Sequence, residues 1–164
     1  MIDKSVRPAD DIESILQIYG DMLFRLCLLM LGNGSDAEDV IQETMIKYMQ
    51  KSSQYQFKDE EHKKAWLIKV ATNGSKDVLR YRNRHPIVDI DEIKSYMQEK
   101  TDSEIIDALM TLPEKFRIVL ILFYVEGYST KEIATMIGKT SSAVKMRLQK
   151  GRDLLKVAYK KECM

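Results

Sequence analysis

Apolar residues recur three and four positions apart along nearly the whole of this chain, and nowhere do they alternate in the period-two pattern of a strand. Ile12, Ile15, Leu16, Tyr19, Met22, Leu23, Leu26 and Met30 predict one amphipathic helix, which Gly32-Asn33-Gly34 ends. Ser35 with Glu38 three residues on predicts a capping box opening a second helix, which runs to about Gln50. Asp36, Glu38 and Asp39 sit in its first turn, where the helix dipole favours acids. A loop from Ser52 to Phe57 leads to a third helix, from about Glu60 to Arg84, with Trp66, Leu67, Val70, Val78 and Leu79 as its apolar face. Asn73-Gly74-Ser75 weakens that helix midway, by about 1 kcal/mol at the glycine relative to alanine. The pattern predicts an all-α fold.

His85-Pro86 interrupts the periodicity, because the residue before proline avoids helical geometry. Residues 86–101 are acidic and weakly patterned, and read as a flexible linker with a short helix at most, outside any core. The chain therefore divides into two small helical domains, 1–85 and 102–164. In the second, a helix to Thr111 is followed by another from Pro113 to Glu126, with Val119, Leu122 and Phe123 apolar. After Gly127, Ser129 and Glu132 form a further capping box for a short helix with Ile133, Ala134 and Ile137 facing inward. Gly138 marks a turn, and Thr140 or Ser141 caps a longer helix with Val144, Leu148 and Leu155 on its apolar side. A short capped helix, a glycine turn and a long basic helix are the pattern of a helix-turn-helix. Lys145, Arg147, Gln149, Lys150 and Arg152 occupy its polar face, and such side chains can reach base edges in a major groove. Alone, that stripe would better suit a plain solvated face; the capped helix and glycine turn before it, with the basic charge of the terminal segment, favour DNA binding.

The net charge of +1 conceals a strong segregation. Residues 1–61 carry 6 basic and 12 acidic side chains, and residues 62–85 carry 7 and 1. Residues 86–130 carry 4 and 9, and residues 131–164 carry 9 and 3. Two compact basic segments thus alternate with two acidic ones, which locates polyanion binding in the third helix and the last.

Other classes find little support. Cys27 and Cys163 show no paired spacing, which suggests a reducing compartment rather than a disulfide framework. The apolar run Met22–Leu31 is broken by Arg25 and is short for a bilayer, and acids stand at Asp10 and Asp11 where a signal peptide would be apolar. His62 and His85 lie outside any metal-ligand spacing, and no phosphate-cradling glycine loop or nucleophile motif is present. Asp39 and Glu43 stand at helical spacing, but two carboxylates alone are a weak cation site. The expectation is a chain with no catalytic residues, no cofactor, no metal and no small-molecule substrate.

Three blocks in order resemble bacterial sigma factors. They are Asp36-Ala37-Glu38-Asp39-Val40-Ile41-Gln42-Glu43-Thr44-Met45, then Ala65-Trp66-Leu67-Ile68-Lys69-Val70-Ala71-Thr72-Asn73 with Asp77 and Arg80, then Leu112-Pro113 to Arg117 and Val119 with Gly127-Tyr128-Ser129-Thr130-Lys131-Glu132-Ile133-Ala134. With only a short linker between the lobes, the chain is similar to the extracytoplasmic-function (Group IV) type of the sigma-70 family. The resemblance implies a cytoplasmic initiation factor that binds RNA polymerase core, through the β′ clamp and β flap, and promoter DNA. It also implies an anti-sigma factor as a further partner. Asp39, Gln42, Glu43 and Met49 align with core-binding positions. Tyr55, Phe57, Lys69, Asn73, Lys76, Arg80 and Arg82 align with or flank the −10 surface, Asn73 at the position that reads the flipped base, and Arg84 adds to the same positive field. Thr140, Ser141, Ser142, Lys145, Met146, Arg147, Gln149 and Lys150 fall on the −35 surface. Ala143 and Lys150-Gly151 depart from the commoner threonine and Arg-Ala of the family. The competing reading is a helix-turn-helix regulator that acts on duplex DNA without polymerase, which leaves the first lobe unexplained.

Overall fold

A computed structural model describes residues 8–82, 88–97 and 102–162, with side chains from residue 11 onward. Arg84, His85, Pro86 and Cys163 lie outside these. Among the described residues every regular element is helical: α1 (Pro8–Leu31), α2 (Gly34–Ser52), α3 (Glu60–Tyr81), α4 (Ile90–Met97), α5 (Ser103–Met110), α6 (Glu114–Leu120), α7 (Thr130–Ile137) and α8 (Ser141–Glu162).

Helices α1, α2 and α3 pack on one another as the first lobe. Ile15, Tyr19, Leu23, Leu26 and Met30 of α1 are buried as their spacing predicts, whereas Leu16 is 41% exposed. By length and composition Asp11–Leu31 is apolar enough to cross a membrane. Here the stretch from Leu26 to Leu31 is instead buried in the protein core. Gly32, at φ 87°, turns the chain after α1. The predicted Ser35 cap is displaced: α2 starts two residues earlier, with the Asn33 side chain accepting from the Asp36 amide at 2.9 Å. Asp59 caps α3 by accepting from the His62 amide at 2.7 Å. That helix runs unbroken through Asn73-Gly74. A Cβ at Gly74 would lie 3.2 Å from Val40 Cγ1, so the glycine permits the close approach of α2 and α3.

The second lobe packs α8 across α5, α6 and α7. Ser129 and Glu132 form the predicted capping box, and Gly138 adopts the left-handed conformation (φ 68°) that the turn before α8 requires. Thr140 is the residue that caps α8, its hydroxyl accepting from the Ala143 amide at 3.1 Å. Sequence periodicity did not foresee the π-helical turn Ile121–Val125 that extends α6, closed by the Glu126 amide donating to the Ile121 carbonyl at 3.0 Å. It delivers Glu126 and Tyr128 to the first lobe.

The segment between the lobes corrects an expectation. Ile93 is wholly buried and Met97 nearly so, making α4 part of the core rather than a bare tether. Burying each contributes about 1.5–3 kcal/mol, which anchors an eight-residue helix too short to form alone. Phe24 of α1 meets Tyr96 at 5.0 Å between ring centroids, and Lys94 pairs with Asp107 of α5 at 2.9 Å. Direct contacts also join the lobes. Arg25 forks onto Glu126 (Nε–Oε1 2.7 Å, Nη2–Oε2 3.0 Å), and the Lys64 ammonium lies 4.9 Å from the centre of the Tyr128 ring.

Candidate nucleic-acid interface

Three exposed stripes carry the residues singled out from the sequence. On α2, Thr44, Met45 and Tyr48 face the core, which turns Asp39, Gln42, Glu43 and Met49 outward on the opposite side. Ile46, 47% exposed, lies on the same stripe at helical spacing between Gln42 and Met49. The surface is therefore acidic and amide-bearing toward the start of α2 and apolar toward its end. With Met49 on this face, helical spacing alone places Ile46 there too.

On α3, Lys69, Asn73 and Arg80 are exposed along one side. Arg80 pairs with Asp77 at 2.9 Å, but both side chains are about 70% exposed, so the pair constrains the guanidinium little. Tyr81, 90% exposed at the end of the same helix, is an aromatic that the motif did not point to. Arg82 does not join this surface. It is held in a two-pronged ion pair with Asp36 at the start of α2, with Nη2–Oδ1 at 2.8 Å. Burial works against the Asp36 carboxylate, but Arg82 and Asn33 outweigh it and hold its pKa below the usual range. Lys76 is half-buried against the second lobe. Burial holds its ammonium below the ordinary lysine range; Glu114 acts in the opposite direction, and Arg147, Lys139 and Arg80 reinforce the lowering.

Tyr55 and Phe57 meet edge to face at 5.7 Å, and the loop that carries them folds onto α2 and α3. Phe57 is the hub: it stacks on Tyr48 at 5.9 Å and meets His62 at 5.5 Å and Trp66 at 5.6 Å edge-on. Trp66 is half-buried, packed against the core as expected. Tyr55 remains 42% exposed, with the Lys51 ammonium 4.3 Å from its ring centre. This places a cation and a partly exposed aromatic ring together. Asn73 stands seven residues beyond Trp66, about 10 Å along the helix axis, so the amide and the aromatic group are separate features of α3.

On α8, Val144 and Leu148 are buried, which presents Ser142, Lys145, Met146, Gln149 and Lys150 to solvent. Met146, 71% exposed, is the apolar member of that face. Thr140 is engaged as the helix cap, and Ser141 is half-buried beside the Thr130 hydroxyl at 3.4 Å. Arg147 is half-buried. Arg152 donates to the Tyr124 hydroxyl at 3.1 Å. Gly151 has a packing reason: a Cβ there would lie 3.2 Å from Leu120 Cδ1 and 3.5 Å from Phe116 Cβ, so α8 rests on α6 at glycine distance. Among the described residues no cluster of three metal-ligating side chains occurs.

Comparison with known proteins adds independent findings. Residues 15–85 match the family model for Sigma-70 region 2, and residues 102–155 match that for Sigma-70, region 4. The chain is 29% identical over 166 residues to the ECF RNA polymerase sigma factor SigE of Mycolicibacterium smegmatis, covering 94% of this chain but 63% of that protein. It is 31% identical over 139 residues to the ECF RNA polymerase sigma factor SigL of Mycobacterium tuberculosis, covering 79% of this chain and 78% of the relative. In fold it is similar to the sigma factor RpoE of Bartonella quintana, solved with the anti-sigma factor NepR. That likeness has a TM-score of 0.69 at 21% identity and covers 92% of this chain and 97% of that one.

Proposed function

The chain belongs to the sigma-70 family, among the extracytoplasmic-function RNA polymerase sigma factors, and from that membership we propose that it binds RNA polymerase core in the cytoplasm and directs promoter-specific initiation. The observation that carries this reading is the segregation of three exposed stripes of different chemistry on α2, α3 and α8. The α2 stripe of Asp39, Gln42, Glu43, Ile46 and Met49 suits a partner with a basic rim and an apolar centre, as a polymerase β′ clamp helix pair would provide; complementary charge would fix its orientation. Lys69, Asn73 and Arg80 suit a single strand with one base turned out, cations for phosphate and an amide for the base, while Tyr55, against His62 at the start of α3, offers a ring further along.

The α8 face suits the −35 duplex. Gln149 can pair with adenine, Met146 can meet a thymine methyl, and Lys145 and Lys150 can hold phosphates. Half-burial of Lys76 and Arg147 and the Asp36–Arg82 pair leave those three residues less available than their sequence positions suggest. On this reading the chain's work is binding and positioning, and the catalytic steps belong to the polymerase. Run-off transcription with purified core across genomic promoters tests the reading. Promoter-specific transcripts dependent on this chain are expected. Failure to associate with core at low salt overturns it in favour of a regulator acting on duplex DNA alone.

A further inference from the structure

A thioether reacts with peroxide only where its sulfur can be reached, so burial sorts the ten methionines of this chain by reactivity. Met30, Met45, Met97, Met110 and Met136 are buried, none more than 8% exposed. Met22 is partly buried, packed against the core. Met1 and Met164 lie outside the described residues. That leaves Met49, 43% exposed on α2, and Met146, 71% exposed on α8.

Met146 occupies the middle of the outward stripe of α8. Val144 and Leu148 turn into the core. Ser142, Gln149 and Lys150, at helical spacing from Met146, and its neighbour Lys145 surround it, all exposed. Every one of these four is polar or charged, so the thioether supplies the apolar contact of the stripe. On α2, by contrast, Ile46 stands exposed beside Met49 at helical spacing, and an apolar group survives there whatever happens to the sulfur.

We propose that Met146 is a reversible oxidation site, at which hydrogen peroxide turns the α8 face from a tight to a weak reader of duplex DNA. The sulfur lone pair attacks one peroxide oxygen, and the S–O bond forms as the O–O bond breaks. The departing hydroxide takes the proton from the transferred oxygen and leaves as water. Sulfur loses two electrons and peroxide gains them, giving methionine sulfoxide. Thiol-dependent sulfoxide reductases return the thioether, which makes the change reversible.

The product puts a polar acceptor where the thioether offered apolar contact. Against a thymine methyl, the sulfoxide oxygen gives up water and finds no donor in exchange. Lys145 and Lys150 keep their charge, so attraction to phosphate is retained while the contact in the groove is lost. The consequence for DNA rests on the promoter-binding function proposed above; the preferential oxidation of Met146 rests on exposure alone.

Peroxide titration of the full chain with peptide mass spectrometry tests the site. Sulfoxide is expected at Met146 before any other described methionine, at Met49 next and at the buried five last. Oxidation of Met22 or a buried methionine as fast as Met146 overturns the site. For the consequence, the chain is oxidised, freed of peroxide and only then joined to polymerase core. The probe is a duplex that the unoxidised complex selects from a random-sequence pool. Each protein is compared with itself before and after treatment. The parent is expected to lose about tenfold in affinity, to keep its slope of log affinity against log salt, and to recover with methionine sulfoxide reductases A and B. Met49→Leu is expected to show the same loss, and Met146→Leu none, whatever its starting affinity. A loss that persists in Met146→Leu, or an oxidised parent that binds as before, overturns the effect on DNA. A pool that yields no preferred duplex counts against the proposed function, and with it the effect on DNA, but leaves the order of oxidation standing.

Discussion

Arg25 of α1 and Glu126, just after the π-helical turn, form a forked ion pair across the two lobes, with the glutamate side chain 5% exposed and the arginine 28%. The pair exists because the π turn inserts one extra residue before Gly127; a regular helical end would aim position 126 elsewhere.

Removing one partner leaves the other without its counter-charge, the Glu126 carboxylate buried and the Arg25 guanidinium half-buried. Arg25→Gln and Glu126→Gln are each expected to destabilise the chain by about 1.5–3 kcal/mol, the range for hydrogen bonds to charged groups. The double variant is expected to lose less than the sum. Urea unfolding of the four proteins closes the cycle, and additive losses would show the pair to be uncoupled.

The first helix turn of α2 discriminates between the cap foreseen from sequence and the one observed. Asn33→Ala is expected to cost about 1 kcal/mol, measured as a fall in melting temperature. Ser35→Ala, on an exposed side chain inside the helix, is expected to be close to neutral. The reverse order would return the cap to Ser35.

On α8, Lys145→Ala and Lys150→Ala should weaken promoter binding by the polymerase complex. Each should reduce the slope of log affinity against log salt by about 1. Association with core should not change. Equal loss of both activities would refute the division of labour between the lobes.

Asn73→Ala tests the single-strand surface. The variant is expected to form closed complexes at parental affinity but to open them poorly, seen as weaker permanganate reactivity near −10. Identical footprints would remove Asn73 from the opening step.

Acid sensitivity follows from Glu60. The Tyr19 hydroxyl donates to it at 2.6 Å and Lys63 pairs with it, and these lower its pKa below the ordinary carboxylate value, the Tyr19 bond most. A depressed folded-state pKa adds stability above the unfolded value near 4.5, and that stability is lost as pH falls through the folded one. The difference in stability between the parent and Tyr19→Phe should therefore be largest above about pH 5 and shrink on acidification. A pH-independent difference would show that the hydroxyl acts by packing alone.

Much of this organisation was readable in the residues because helices announce themselves locally. Spacing placed Ile15, Tyr19, Leu23 and Met30 inside, and Ser129 with Glu132 marked the start of α7 to the residue. What escaped depends on partners distant in sequence. Arg82 reads as one more cation until Asp36, on another helix, claims it. Ile93 and Met97 sit in an acidic stretch whose pattern is too short to show which face will be covered. The π turn has no compositional mark, since Ile121–Val125 would suit an ordinary helix equally well.

Gly151 couples two parts of the second lobe that would otherwise be tuned separately. With only a hydrogen atom between α8 and the side chains of Leu120 and Phe116, the height of the exposed Lys145–Lys150 face is fixed by the size of what lies beneath it. A larger or smaller side chain at position 120 would tilt that face without altering any group on it. On the promoter-binding function proposed above, preference can therefore drift through substitutions in the buried interior, outside the exposed residues of α8.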